Sequence, residues 1–302
     1  MDPTAPHNRL ARAVEIWAHP LILAAAIALW LAMDRSAWAF LVALIGVQVV
    51  LAVLERLVPA QGWQQSASHK WSLAGLFLGG LIVFQMITAI YTVTLAPPLV
   101  QARSALGLDL WPTSWPVLVQ AWLLYFASDF IYYWIHRAIH ASAWFWRLSG
   151  HGFHHAFHNM HAINAGASHP LEFLFLALPM AVLGAVFGGP EEAMLGASLL
   201  LVVNASLAHA NVRMNTPVLR WLLTTSTHHQ RHHSNVFEDS NTNFSCNAII
   251  WDRLFGTYSE GPVAQTGIGP VEPSFWQKLL LPIREPVYAD TAASRAARHQ
   301  SI

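Results

Sequence analysis

Apolar residues in this chain fall into long blocks separated by short polar breaks. Six blocks cover 14–33, 37–54, 72–96, 116–135, 171–188 and 193–208. Each approaches the roughly 20 residues that carry a helix across a hydrocarbon core of about 30 Å. The last two are short, which predicts tilt, local bilayer thinning or a hairpin that turns back to the side it left. The first block reads as a resident span rather than a cleaved leader: it is long, contains Pro20, and a second block follows almost at once. Turn residues punctuate the series at Pro97-Pro98, at Trp111-Pro112 and Trp115-Pro116, and at Gly188-Gly189-Pro190. The pattern predicts an all-α fold, a polytopic membrane helical bundle of about four to six spans. Residues 1–302 read as a single membrane-embedded domain with no internal repeat, whose catalytic core covers about 115–260.

Between and after the spans lie stretches that mix aromatic and basic residues. Trp144-Phe145-Trp146-Arg147, Val218-Leu219-Arg220-Trp221 and Phe275-Trp276-Gln277-Lys278 suit helices lying in a headgroup layer. The tail after Tyr288 reads as loosely ordered.

Composition sharpens this picture. Of 302 residues, 55% are hydrophobic and 11% charged, against about 25% charged in a soluble domain. Lys+Arg and Asp+Glu both number 16, so a basic nucleic-acid surface is not expected. Cys246 is the single cysteine, which excludes an internal disulfide. With the N-terminus inside, the outer connections 34–36, 97–115 and 189–192 hold only Arg35 and Arg103 of the 16 basic residues. That asymmetry predicts cytoplasmic N- and C-termini.

The 14 Trp fit membrane interfaces, but the 17 His need their own reason. Thirteen lie between His136 and His233, all at or near the cytoplasmic side of the predicted topology. His136 and His140 are four residues apart and share one helical face, able to serve one metal. Asp129, seven residues earlier, sits on that face. A carboxylate at the end of a span needs a partner, which the free N–H of a ligand imidazole would supply. His151, His154 and His155 form a HxxHH pattern, and His229, His232 and His233 repeat it. His169 and His209 stand where the chain re-enters and leaves the membrane, at the same depth. His158 and His161 read equally well as ligands or bystanders. His228 points away if its neighbour points in. His7, His19, His69 and His299 are assigned to surface or interface.

Eight to ten imidazoles exceed the four ligands of a structural zinc and suffice for two metals. Imidazole suits Fe, Zn, Cu and Ni alike. A histidine-dominated site at a membrane face suits O2 activation against a lipid C–H bond, with electrons arriving from the cytoplasm.

These residues carry a resemblance. Asp129, Tyr133-Trp134, His136-Arg137 and His140 come first. His151-x-x-His154-His155, His169-Pro170-Leu171-Glu172 and His209-Ala210-Asn211-Val212 follow. His229-x-x-His232-His233-Ser234, Asn241, Asn243-Phe244 and the run Trp251 to Tyr258 complete the order. The sequence resembles the fatty acid hydroxylase/sterol desaturase superfamily of integral-membrane, non-haem di-iron oxygenases. The resemblance implies a cytoplasmic, histidine-rich helical cap over the bundle, two Fe ions (zinc as an adventitious substitute) and O2 as co-substrate. It implies His136, His140, His151, His154, His155, His229, His232 and His233 as catalytic metal ligands, completed by His169 and His209. Asp129, Glu172 and Asp252 are the candidate outer partners of the ligand rings. Two positions depart from the pattern, His161 where members often carry Asn and Ser226 where they often carry Pro.

The expected reaction is hydroxylation or desaturation of a lipid, with sterol, fatty acyl, ether lipid, sphingoid base and carotenoid all open. No nicotinamide, flavin or c-haem motif appears, so a separate electron donor, cytochrome b5-like or a ferredoxin with its reductase, is the expected partner. Two rivals remain for comparison. A membrane b-type cytochrome would need paired histidines deep within spans, and residues 14–96 hold only His19 and His69, both near predicted ends. A membrane metal-binding or transport protein would want polar residues along a path through the bilayer.

Overall fold

The computed structural model describes residues 6–62, 67–108 and 110–284. The expectations for His299 and for the tail after Tyr288 fall outside these residues, as do the side chains of His7 and His69. The described residues hold helices and two isolated β-bridges, Pro59 with Val212 and Ser234 with Thr266, and no strand.

Among the described residues, four helices are long and apolar enough to cross a membrane, spanning Arg9–Ala32, Ala37–Leu57, Trp71–Thr94 and Glu191–His209. They belong to α1 (Pro6–Ala32), α2 (Ala37–Leu57), α3 (Ala67–Thr94) and, later in the chain, α9 (Glu191–His209). Between α3 and α5 (Val117–Ala141) lies α4 (Ala96–Ala105), a helix where sequence predicted a loop. Pro97 and Pro98 occupy its first turn, where a missing N–H costs nothing, so they start the helix instead of breaking it. In the cap, α6 (Ala143–Ser149) and α7 (Gly152–His155) precede α8 (Glu172–Phe187). After α9 come α10 (Ser226–His232), α11 (Phe237–Ser240), α12 (Ile250–Phe255) and α13 (Phe275–Leu279).

Helix α8 has 16 residues, about 24 Å at 1.5 Å per residue, short of a full hydrocarbon core. Gly188-Gly189-Pro190 turns it into α9, and Gly188 takes φ +77°, beside the Arg103 guanidinium.

Helix α9 is the centre of the bundle. It packs against α1, α2 and α5, and its Leu199, Leu200, Val203 and Leu207 join Trp30, Leu51, Leu124 and Tyr125 in the main core. Outward faces invert the usual rule. On α2, Trp38, Ile45 and Val49 are exposed; on α3, Leu78, Ile82, Met86 and Val93 are. Such continuous apolar cover suits a lipid solvent. Some polar side chains inside the bundle pair across helices. His19, expected at a surface, is fully buried on α1 with its Nε2 2.8 Å from Asn204 Oδ1 of α9.

All the chemistry gathers at one end of this bundle. The last turns of α2, α5 and α9, the first turn of α8 and the start of α1 meet the two cap segments 142–171 and 210–284 there. The cap carries exposed Trp144, Trp221 and Trp276 on its rim.

Candidate metal centre

Nine histidines converge in two groups whose ligand atoms lie within 4.8 Å of one another in each. Group one holds His136, His140, His151, His155 and His232; group two holds His154, His209, His229 and His233. All nine are buried. Helical geometry explains the sorting. Residues i and i+4 differ by about 40° around a helix, whereas i+3 lies about 60° to the other side. Each HxxHH pattern therefore divides. His151 and His155 serve group one and His154 group two; His229 and His233 serve group two and His232 group one. The groups touch where His155 stacks on His233, ring centroids 4.2 Å apart at 12°.

Five of the nine rings are held by their Nδ1 sides. His136 Nδ1 donates to the Phe244 carbonyl at 2.6 Å, His232 Nδ1 to the Thr242 carbonyl at 2.8 Å and His151 Nδ1 to Glu172 Oε1 at 2.7 Å. In group two, His209 Nδ1 donates to Ala205 O at 2.8 Å, and His154 Nδ1 lies 3.3 Å from Ala167 O. Burial, helped by neighbouring imidazoles, depresses the pKa of His151, His155, His229, His232 and His233 well below the ordinary histidine value. His154 is lowered to about 4 by the same burial. These rings are neutral, with one N–H each.

This protonation leaves bare Nε2 lone pairs facing one another. His136 Nε2 lies 2.8 Å from His151 Nε2 and 3.1 Å from His232 Nε2, and His209 Nε2 lies 3.1 Å from His154 Nε2. Two lone pairs at that distance repel unless a cation sits between them. Ligands at right angles around an ion with bonds of about 2.1 Å would be roughly 3.0 Å apart. His155 Nε2, His229 Nδ1 and His233 Nδ1 are also buried without a partner. The residues fit a pair of metal ions held by neutral nitrogen donors.

Depressed pKa values predict a pH response of the metal-free protein. The unfolded chain binds protons near the usual 6.5 and the folded chain resists them, His154 until about 4. Stability present above pH 6.5 is lost as pH falls toward 4. Thermal unfolding of chelator-treated protein should shift steadily downward over that window, and added metal should raise the midpoint at pH 7.

The outer partners differ from expectation in part. Glu172 does accept from a ring of group one, that of His151. Asp129 touches no imidazole: its oxygens accept the backbone N–H groups of Asn247 and Ala248 at 3.0 and 2.8 Å. Asp252 acts one step removed. It accepts from Phe244 N at 2.7 Å, Ser245 N at 2.8 Å and the Thr257 hydroxyl at 2.6 Å. It thereby fixes the segment whose Phe244 carbonyl orients His136. Asp252→Asn should weaken metal binding in group one by about 10–100-fold, the usual value of an outer partner, measured by metal titration.

His169 joins neither group. Its Nε2 lies 3.2 Å from Leu279 O, and Leu171 N donates to its Nδ1. The ring covers Gly150, whose φ of +69° turns α6 into α7; a β-carbon there would fall 2.5 Å from the ring. His158 pairs with Gln265 through Nδ1, and His161 with Glu55 of α2. His228 faces away from both groups, its Nδ1 accepting from Thr225 N. The orienting carbonyls of Phe244, Thr242, Ala205 and Ala167 escape sequence reading because backbone acceptors carry no residue signature.

Beneath the rings runs a cavity of about 190 Å³. Phe77 and Phe84 of α3, Phe173, Leu176 and Met180 of α8, and Leu201, Val202 and Ala205 of α9 form its apolar wall. His151, His154 and His209 close one end, beside Tyr132, Cys246 and Asn247. Gly80 lets α3 approach the cap segment, since a β-carbon there would fall 2.4 Å from the Gly166 carbonyl.

Comparison with known proteins follows the same residues. The fatty acid hydroxylase family profile matches residues 121–257. The ornithine lipid hydroxylase OlsE of Rhizobium tropici is 32% identical over 232 residues, 73% of this chain and 67% of that protein. The alkylglycerol monooxygenase of Xenopus tropicalis is 29% identical over 140 residues, 45% of this chain and 30% of its own length. Methylsterol monooxygenase 2-1 of Arabidopsis thaliana is 27% identical over 160 residues, 48% of this chain and 57% of its own. No solved structure matches. With its clustered histidines, its membrane-length helices and a relative matched over two thirds of that relative's length, the chain belongs to the fatty acid hydroxylase/sterol desaturase superfamily.

Proposed function

We propose that this protein is an O2-dependent membrane oxidoreductase that hydroxylates or desaturates a C–H bond of a lipid at a histidine-held di-iron centre. One observation carries the reading: two all-imidazole groups close the end of an apolar cavity set among membrane helices. The relatives, named as a lipid hydroxylase, an alkylglycerol monooxygenase and a methylsterol monooxygenase, support lipid oxidation. When bound, the two irons would supply O2 activation and the one-electron steps that C–H oxidation needs.

The chain's own residues supply the rest. Nine buried imidazoles in two groups present neutral donors without a carboxylate among them. Glu172 holds the Nδ1 proton of His151, and the Phe244 and Thr242 carbonyls hold those of His136 and His232. Each ring is thus locked in the tautomer that turns Nε2 inward. The phenylalanine- and leucine-lined cavity excludes water and takes an alkyl chain. It places one carbon near the imidazoles, where orientation counts for much of the rate.

Hydroxylation consumes O2, two electrons and two protons and yields the alcohol and one water; desaturation yields the alkene and two waters. The electrons come from a separate donor protein. The termini and the cap face the cytoplasm, where that donor is found. Lipid mass spectrometry of cells with and without the intact gene tests the proposal. A gene-dependent lipid differing by +16 or −2 mass units supports it. An unchanged lipidome in cells that make the metal-loaded protein would overturn it.

A further inference from the structure

We infer that Glu55, on a membrane helix outside the matched family region, is a positioning residue for the second metal group. The inference rests on the proposed two-metal reading. Glu55 lies in the last turn of α2, where the helix dipole disfavours a carboxylate. Its partners offset that cost. Oε1 accepts the backbone N–H of Ala162 at 2.7 Å and of Asn211 at 3.0 Å, and Oε2 lies 3.0 Å from His161 Nδ1. Both side chains of the His161 pair are only 11% exposed.

Each contact leads to a ring of group two. Ala162 begins the short 3-10 turn that ends at Gly166, and the next carbonyl, Ala167 O, faces His154 Nδ1. Asn211 follows His209 by two residues and fixes the exit of α9. Gln230 of α10, between His229 and His232, donates to the adjoining Ala210 carbonyl at 3.1 Å. One carboxylate therefore ties together the backbone segments behind His154 and His209, and α10 docks on the second of them. The anchors of group one are different: Glu172, Phe244 and Thr242.

Anaerobic Fe(II) titration of the chelator-treated, detergent-solubilised full chain tests this assignment. Wild type should take two equivalents; any other count overturns the two-metal reading itself. Glu55→Met keeps the side-chain length and removes both acceptors. It should weaken one equivalent by about 10–100-fold and spare the other. Glu55→Gln should recover most of the loss, because its carbonyl oxygen still accepts from Ala162 and Asn211. The decisive comparison uses two backgrounds. With His209→Ala, which cripples group two, adding Glu55→Met should leave the surviving equivalent unchanged. With the His136→Ala/His151→Ala pair, which cripples group one, it should weaken the survivor by the same 10–100-fold. Equal weakening in both backgrounds, or none in either, overturns the assignment. Should Glu55→Met fail to accumulate, Glu55→Asp, shorter by one methylene, carries the same comparison.

Discussion

His154→Ala and His232→Ala should each abolish lipid oxidation while the protein still inserts in the membrane. The reason lies in how the two groups share segments. His154 is one of the four rings of group two, and its removal leaves three. His232 lies on α10 between the two ligands that helix gives to group two, yet its own Nε2 points 3.1 Å from His136 Nε2 in group one. Losing either ring removes a direct donor, a larger insult than losing an outer partner worth about 10–100-fold. Membrane fractionation and metal content separate this result from misfolding. The variants should fractionate like wild type, and His154→Ala should hold one metal equivalent where wild type holds two. Activity retained in either variant would contradict the ligand assignment.

Val202→Trp should lower turnover by about 100-fold with the metal content unchanged. Val202 lines the cavity from α9, on the side away from the main core. An indole there fills the space an alkyl chain would occupy and displaces the reacting carbon from the rings, and a misplacement near 1 Å is worth about that much. The backbone of α9 is undisturbed, so His209 stays in place. A shorter lipid analogue should recover part of the lost rate. Wild-type turnover in this variant would show that the substrate approaches by another route.

Much of this architecture was legible in the chain because hydrophobic blocks and histidine spacing are direct physical signals. The long apolar runs became helices, and three distant histidine patterns converged as their spacing required. The failures share a cause. Its helical face points Asp129 toward the rings and its depth at the membrane edge points His169 there, but tertiary contacts give them other partners: the N–H groups of Asn247 and Ala248, and the Leu279 carbonyl. His19 looked superficial because it sits near the start of a span, yet Asn204 of α9 supplies a buried partner. Pro97 and Pro98 read as breakers because sequence alone does not show that they begin a helix. The division of each HxxHH pattern between two groups needed the opposing helix to be seen.

The brevity of α8 has a consequence for the surrounding lipid. At 16 residues it falls roughly 6 Å short of an unperturbed hydrocarbon layer. Upright in a bilayer, it would make the acyl chains beside it compress and the leaflet surface dip. Since α8 also forms one wall of the cavity and Glu172 in its first turn holds His151, that dip would lie beside the two histidine groups. A lipid sitting in it would bring its polar end closer to the imidazoles than its neighbours can, with a shorter climb out of the leaflet.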